Sequence, residues 1–220
     1  MVTVAICTVW SMSAELAPRC FPFTDGCLSI SAACRSTPVI HFFRIVMLPI
    51  SIVSLFFWWR LAVLPVPTVD ARSMYWRIVR ALGIVGSIFF VLYVCHLGTK
   101  GEMYEFLRRL GIYVFFGGVG MAQLMATIGY RRIAGAATPA SLVTEAHRSE
   151  SRIVHRGAAT GMTIVIVTLL LLGPLNLILK ALLEDPDAAE NRIEWIFALL
   201  MFGWYLLWAM MVRSRAATDW

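Results

Sequence analysis

The stretch AATGMTIVIVTLLLLGPLNLIL, residues Ala158–Leu179, contains no charged side chain over its whole length. At a rise of about 1.5 Å per residue it reaches roughly 30 Å, the thickness of a bilayer's hydrocarbon core. Four further runs are of similar length and mostly apolar, 40–59 with Arg44 and 78–96 with Arg80 inside them, and 111–130 and 195–212. A sixth, 2–17, is shorter and more polar, with Ser11, Ser13 and Glu15 inside it. Working outward from these runs, the expected fold class is all-α, a polytopic membrane helical bundle of about six transmembrane helices. One membrane domain then occupies 1–220.

Composition leads to the same place. Hydrophobic residues make up 60% of the chain and charged residues 15%, against about 25% charged in an ordinary soluble domain. The mean hydropathy is +0.77. That much apolar surface cannot be hidden in one small globule. A cleaved signal peptide would carry a basic leading segment, whereas Arg19 is the first basic residue; the run 2–17 is therefore read as a short first span, or as one whose N-terminal end lies outside this sequence.

The net charge of +6 comes almost wholly from arginine, because Lys100 and Lys180 are the only lysines. In a membrane protein the positive-inside bias accounts for such a charge, and no nucleic-acid partner is expected. With the N-terminus in the cytoplasm, the inner segments would hold Arg60, Arg72, Arg77, Arg80, Arg131, Arg132, Arg148, Arg152, Arg156, Arg213 and Arg215, 11 of the 19 basic residues. The outer segments would carry the other eight, offset by acids such as Asp25, Glu102, Glu105 and the run from Glu184 to Glu194. Both termini are thus expected in the cytoplasm. Trp58, Trp59, Tyr75, Trp76, Trp195, Trp204 and Trp208 near the span borders read as aromatic belts. Pro65 and Pro67 stop the second run, while Pro49 and Pro174 lie inside spans and kink them.

No catalytic motif is present. His-Glu-x-x-His, Gly-x-Ser-x-Gly, a phosphate-binding glycine loop and Cys-x-x-Cys are all missing, so no catalytic residue, metal or cofactor is nominated, and enzyme against non-enzyme stays open. Cys20, Cys27 and Cys34 recur every seven residues in the first outer loop; two of the three can staple that loop with a disulfide, and the spacing suits no zinc site. The apolar Phe21, Phe23, Leu28 and Ile30 in this loop require cover, so it is expected to fold over the bundle.

The polar residues near the outer helix ends have two readings. Long charged side chains at the water boundary often serve only as interfacial anchors. Alternatively they form a polar cup, in which Arg44 or Arg108 binds a lipid phosphate through the planar guanidinium fork and Asp25 or Glu105 orients it. Arg44 lies about one turn inside the second span, and Asp25 sits in the loop joined to that span, so the two are expected in one site with Glu105 and Glu194 as further members. On the inner side Arg148, Arg152 and Arg156 recur every four residues before the fifth span. Such a stripe suits anionic headgroups, or it sets topology alone. Gly157 with Gly161, and Gly117, Gly118 and Gly120, mark close helix packing.

Three segments carry a family resemblance. The first loop reads Phe21-Pro22-Phe23-Thr24-Asp25-Gly26, then Leu28-Ser29-Ile30-Ser31-Ala32-Ala33, Pro38 and Phe43-Arg44. Gly111-Ile112-Tyr113-Val114-Phe115-Phe116-Gly117-Gly118 runs on through Gln123 to Tyr130-Arg131, and Glu194-Trp195 precedes the last apolar run. In this order they resemble the DRAM/Frag/Sfk family of six-span membrane proteins, and the Ser-Ile-Ser-Ala-Ala string with Pro38 and Phe43-Arg44 is most similar to its post-GPI-attachment remodelling branch. The chain departs from the family at Arg108, where a histidine is frequent, and it lacks the paired prolines after the Ser/Thr-Asp. The resemblance implies a role in lipid handling, with Asp25, Arg44, Glu194 and Trp195 as site residues and membrane lipids, with protein partners, as ligands. Its leading form is remodelling of GPI-anchor lipid in the endoplasmic reticulum and Golgi; the alternative is a non-enzymatic regulator of autophagy, membrane traffic or phosphoinositide and lipid organisation at lysosomal, endosomal or plasma membranes. A transporter would need a charged residue at mid-membrane, and none is placed there.

Overall fold

A computed structural model describes residues 1–61, 74–135 and 145–216, with side chains described outside 133–135, 145–156 and 214–216. Eight helices and no strand occur among the described residues: α1 (Val2–Ser13), α2 (Pro22–Asp25), α3 (Ile30–Cys34), α4 (Val39–Arg60), α5 (Met74–His96), α6 (Glu102–Gly135), α7 (Glu145–Leu182) and α8 (Asp187–Ala216). Five of them, α4 to α8, are long and apolar enough to cross a membrane. The protein is an integral, multi-pass helical membrane protein.

The observed helices begin and end outside the apolar runs. The run 111–130 sits inside α6, which starts at Glu102, and the run 195–212 sits inside α8, which starts at Asp187. A helix keeps its backbone hydrogen bonds internal on leaving the hydrocarbon, so the helix continues into the headgroup layer where the side chains become polar. The run 2–17 behaves differently. Only Val2–Ser13 is helical, and Glu15 turns the chain with φ 58°. Twelve residues reach about 18 Å, short of the hydrocarbon thickness. α1 packs beside the start of α4, with Cys7 and Val4 buried against Ile40 and Phe43.

Successive long helices run antiparallel, so the α2–α3 segment, the α5–α6 turn and the α7–α8 turn share one end of the bundle, called here the loop end. Close approach of α5 and α6 depends on absent side chains: a Cβ on Gly118 would lie 3.0 Å from the Leu82 carbonyl oxygen, and one on Gly111 2.9 Å from that of Phe89. Small residues let helix backbones meet where lipid offers no hydrophobic drive to hold them together.

The core falls into two clusters. The one at the end away from the loops gathers Trp58, Trp76, Val79, Ala126, Met162 and Trp204 from all five spans. Trp58 and Trp204 are fully buried and stack with ring centres 6.0 Å apart. The Trp58 indole donates to the Tyr205 hydroxyl (3.2 Å), that of Trp204 to Thr127 (2.8 Å) and that of Trp208 to Tyr130 (2.9 Å). Buried Gln123 donates to the Met201 carbonyl at 3.1 Å, and the Tyr75 hydroxyl to that of Met125. These contacts correct the aromatic-belt reading for Trp58, Trp195 and Trp204, which are core residues whose N–H groups find partners inside the bundle. The loop-end cluster gathers Leu28, Ile30, Ala33, Ile40, Phe43 and Tyr93 with α1.

Candidate functional site

The loop-end site is built in two tiers, a docked loop and a cavity beside it. The loop is shaped locally before it docks. Pro22 opens α2, where its missing N–H costs nothing. Asp25 then reaches back: its carboxylate accepts the Phe21 N–H at 2.8 Å and the Thr24 hydroxyl at 2.8 Å. These donors, with the nearby Arg192 charge, hold the Asp25 carboxyl below its ordinary range. Gly26 closes α2 in the left-handed region at φ 66°. Cys20 and Cys27 are disulfide-bonded around this turn, while Cys34 is free and buried together with Cys7. Asp25 lies within 4.8 Å of both bridged sulfurs; with the thiols used in the bridge, one carboxylate remains, which is no metal site. Ser29 caps α3 by accepting the Ala32 N–H at 3.1 Å.

The first turns of α8 then clamp the loop, one residue after another. Asn191 donates to the Gly26 carbonyl at 2.7 Å, Arg192 to that of Asp25 at 3.3 Å, and the Trp195 indole to that of Leu28 at 2.9 Å. Glu194 faces the N–H groups of Ile30 and Ser31 at the start of α3. Phe23 packs on Trp195 with ring centres 5.3 Å apart. The loop string from Thr24 to Ser31 and the Glu194-Trp195 pair, separate in sequence, are therefore partners in space.

A cavity of about 360 Å³ opens in the seam between α5–α6 and α7–α8, under Ser31. Arg108 and Arg109 enter it from α6, Glu190 and Glu194 from α8, and Asn176 from α7; Ile112, Phe116, Leu172 and Phe197 supply apolar wall. Lys180 pairs with Glu190 at 2.8 Å, and Arg109 lies 3.8 Å from Glu105, both of the latter exposed. No hydrogen bond or ion pair within the chain engages Arg108 among the described residues. Gly173 and Pro174 interrupt α7 beside the cavity, and the proline leaves a helix carbonyl without its donor.

No family model, curated protein or solved structure matches the chain.

The site geometry separates residues expected together. Arg44 does not meet Asp25. Its guanidinium donates instead to the Cys95 carbonyl (3.0 Å), the Leu97 carbonyl (2.7 Å) and, at 3.5 Å, the Thr99 hydroxyl. The charge lies against the negative end of α5, where a cation is favoured, and one terminal nitrogen makes all three bonds while Nε is buried without a partner. Asp25 is used up in its own turn, and Glu105 sits on the surface with Arg109. Arg108 and Glu194 do share one cavity. Trp195 supports the loop above it. Arg148, Arg152 and Arg156 fall on the first turns of α7, where side chains lie outside those described, and Arg72, Pro65 and Pro67 lie outside the described residues altogether. Asn176 and Tyr93 line the cavity and were not singled out in the sequence; a lone asparagine after a Gly-Pro break in a 22-residue apolar run was the available signal.

Proposed function

We propose that the chain is a lipid-handling membrane protein that takes a phosphate-bearing lipid headgroup into the loop-end cavity. The observation that carries this reading is Arg108: an unpaired guanidinium directed, about two turns below the start of α6, into a cavity where Ile112, Phe116, Leu172 and Phe197 supply apolar wall beside the polar groups. Its fork donates two parallel bonds to a phosphate, while Phe116 and Phe197 accommodate the first acyl carbons. The loop end then faces outward or lumenally, with the C-terminus in the cytoplasm, in keeping with the arginines around Arg77, Arg131 and Arg213; the N-terminus joins it there if α1, at 12 residues a short span, crosses a locally thinned bilayer. The resemblance to the post-GPI-attachment remodelling branch makes GPI-anchor lipid in the endoplasmic reticulum and Golgi the leading cargo. A regulator of the DRAM or Sfk type, acting through protein partners, is the second reading, and it is favoured by the closely docked loop.

The lipid profile of GPI-anchored proteins, measured in cells lacking the chain and in cells carrying Arg108→Gln at matched abundance, tests this. An altered profile in both supports lipid remodelling through the cavity. An unchanged profile in both moves the assignment to the regulator. Protection of a C-terminal tag from protease in sealed right-side-out vesicles tests the orientation, and cleavage of the tag with the membrane intact refutes it.

A further inference from the structure

The two walls of the cavity differ in kind. The α6 wall offers donors, Arg108 and Arg109; the facing α7–α8 wall offers acceptors, Asn176, Glu190 and Glu194. Two guanidiniums and two carboxylates make the lining formally neutral as a whole but strongly dipolar across its width. Glu190 is paired with Lys180 and Arg109 lies against Glu105, so a purely anionic headgroup on Arg108 would leave the Glu194 carboxylate facing it from the other wall. The Oδ1 of Asn176 adds a specific demand, because it is buried with no hydrogen-bond partner. A buried acceptor left unmatched is costly, and because the Asn176 amide lines the cavity, a side-chain rotation presents this oxygen to a ligand donor. Glu194 faces the Ile30 and Ser31 N–H groups on one side and lines the cavity on the other, where its carboxylate, with about four lone-pair sites, can accept from a ligand.

Building on the headgroup reading above, we propose that the cavity takes a zwitterionic headgroup with a primary ammonium, of the phosphoethanolamine type: phosphate on Arg108, ammonium on Asn176 and Glu194. A primary ammonium brings three N–H donors to the acceptor wall. A quaternary choline brings none; Phe197 on the acceptor wall is the aromatic face open to it there, so phosphatidylcholine is the direct competitor in the test.

The test uses the full chain in nanodiscs containing equal fractions of phosphatidylethanolamine, phosphatidylcholine and phosphatidylglycerol, with retained lipid read by native mass spectrometry. The expected result is enrichment of phosphatidylethanolamine over both others by about fivefold, the worth of one hydrogen bond. Asn176→Leu should abolish that preference, Asn176→Asp should keep it, and Arg108→Gln should lower retention of all three. Equal retention of the three lipids by the native chain, with all three lost in Arg108→Gln, would overturn the ammonium assignment and leave phosphate binding standing. A preference unchanged in Asn176→Leu overturns it as well. No retained lipid, with Arg108→Gln silent, overturns the headgroup reading itself.

Discussion

The two ends of the bundle are held by different bonds. Away from the loops, the long-range bonds join side chain to side chain or reach between spans: indole N–H of Trp58, Trp204 and Trp208 to Tyr205, Thr127 and Tyr130, and Gln123 to the Met201 carbonyl. At the loop end the acceptors are main-chain carbonyls, those of Gly26 and Leu28 in the docked loop and of Cys95 and Leu97 at the C-terminal end of α5. The first pattern locks five helices into a common core. The second fastens a separate piece of chain onto a finished bundle, and the cavity lies beside that fastening. One end is therefore a scaffold shared by all five spans and the other a loop docked onto it.

The largest expected effect is on the scaffold. Trp204→Ala removes a fully buried ring, its stack on Trp58 and the bond to Thr127. A loss of about 3–5 kcal/mol is expected, read as a lower midpoint of thermal unfolding in detergent. Trp195→Phe keeps most of the buried ring and loses the bond to Leu28; it should cost about 1 kcal/mol and change only the loop. A global loss from Trp195→Phe as large as that from Trp204→Ala would break the distinction.

Paired glycine substitutions sharpen it. A Cβ on Gly83 would lie 2.1 Å from the ring of Trp58, inside the scaffold. Gly83→Ala is expected to lower whole-protein stability by about 1–3 kcal/mol through overpacking. A Cβ on Gly26 would meet the Ala188 carbonyl oxygen at 2.0 Å, and its φ of 66° disfavours any other residue. Gly26→Ala should undock α2 from α8, giving faster hydrogen exchange over residues 21–31 with an unaltered unfolding midpoint. Slow exchange there in Gly26→Ala would mean the loop is held by something other than the α8 clamp.

The scaffold was the more legible end, and the reason is physical. Apolar runs report burial in hydrocarbon directly, so 40–59 and 78–96 fall within a few residues of Val39–Arg60 and Met74–His96. The polar turns of α6 and α8 carry no such signal, and their extent was missed. In the site, Arg44 was paired with Asp25 because an arginine near the membrane needs an acceptor and a carboxylate is the acceptor that a sequence displays. Its actual acceptors are carbonyls 51 and 53 positions away, a group that every residue possesses and that no side-chain pattern reveals. Arg44→Lys, which keeps the charge and loses the fork, is accordingly expected to cost about 1 kcal/mol of stability and to leave lipid retention unchanged, in contrast to Arg108→Gln. Lost lipid retention in Arg44→Lys would return Arg44 to the site.

The smallest effect expected is the pH response of the clamp. The Phe21 N–H and the Thr24 hydroxyl favour the ionised form of Asp25 and hold its carboxyl low in the folded protein. A group depressed in this way contributes stability that is fully present above its unfolded value, about 3.9, and is lost as pH falls through its folded value. The carboxylate is exposed, so solvent screens it and the effect stays local. Between pH 6 and pH 3 the protection of the Phe21 amide, corrected for intrinsic exchange, should fall in the native chain and stay nearly flat in Asp25→Asn, while amides near Trp204 remain unchanged in both. Equal pH dependence of the two proteins at Phe21 would show that the turn is set by Pro22 and the Cys20–Cys27 bridge alone, with the carboxylate a bystander on the loop it was expected to organise.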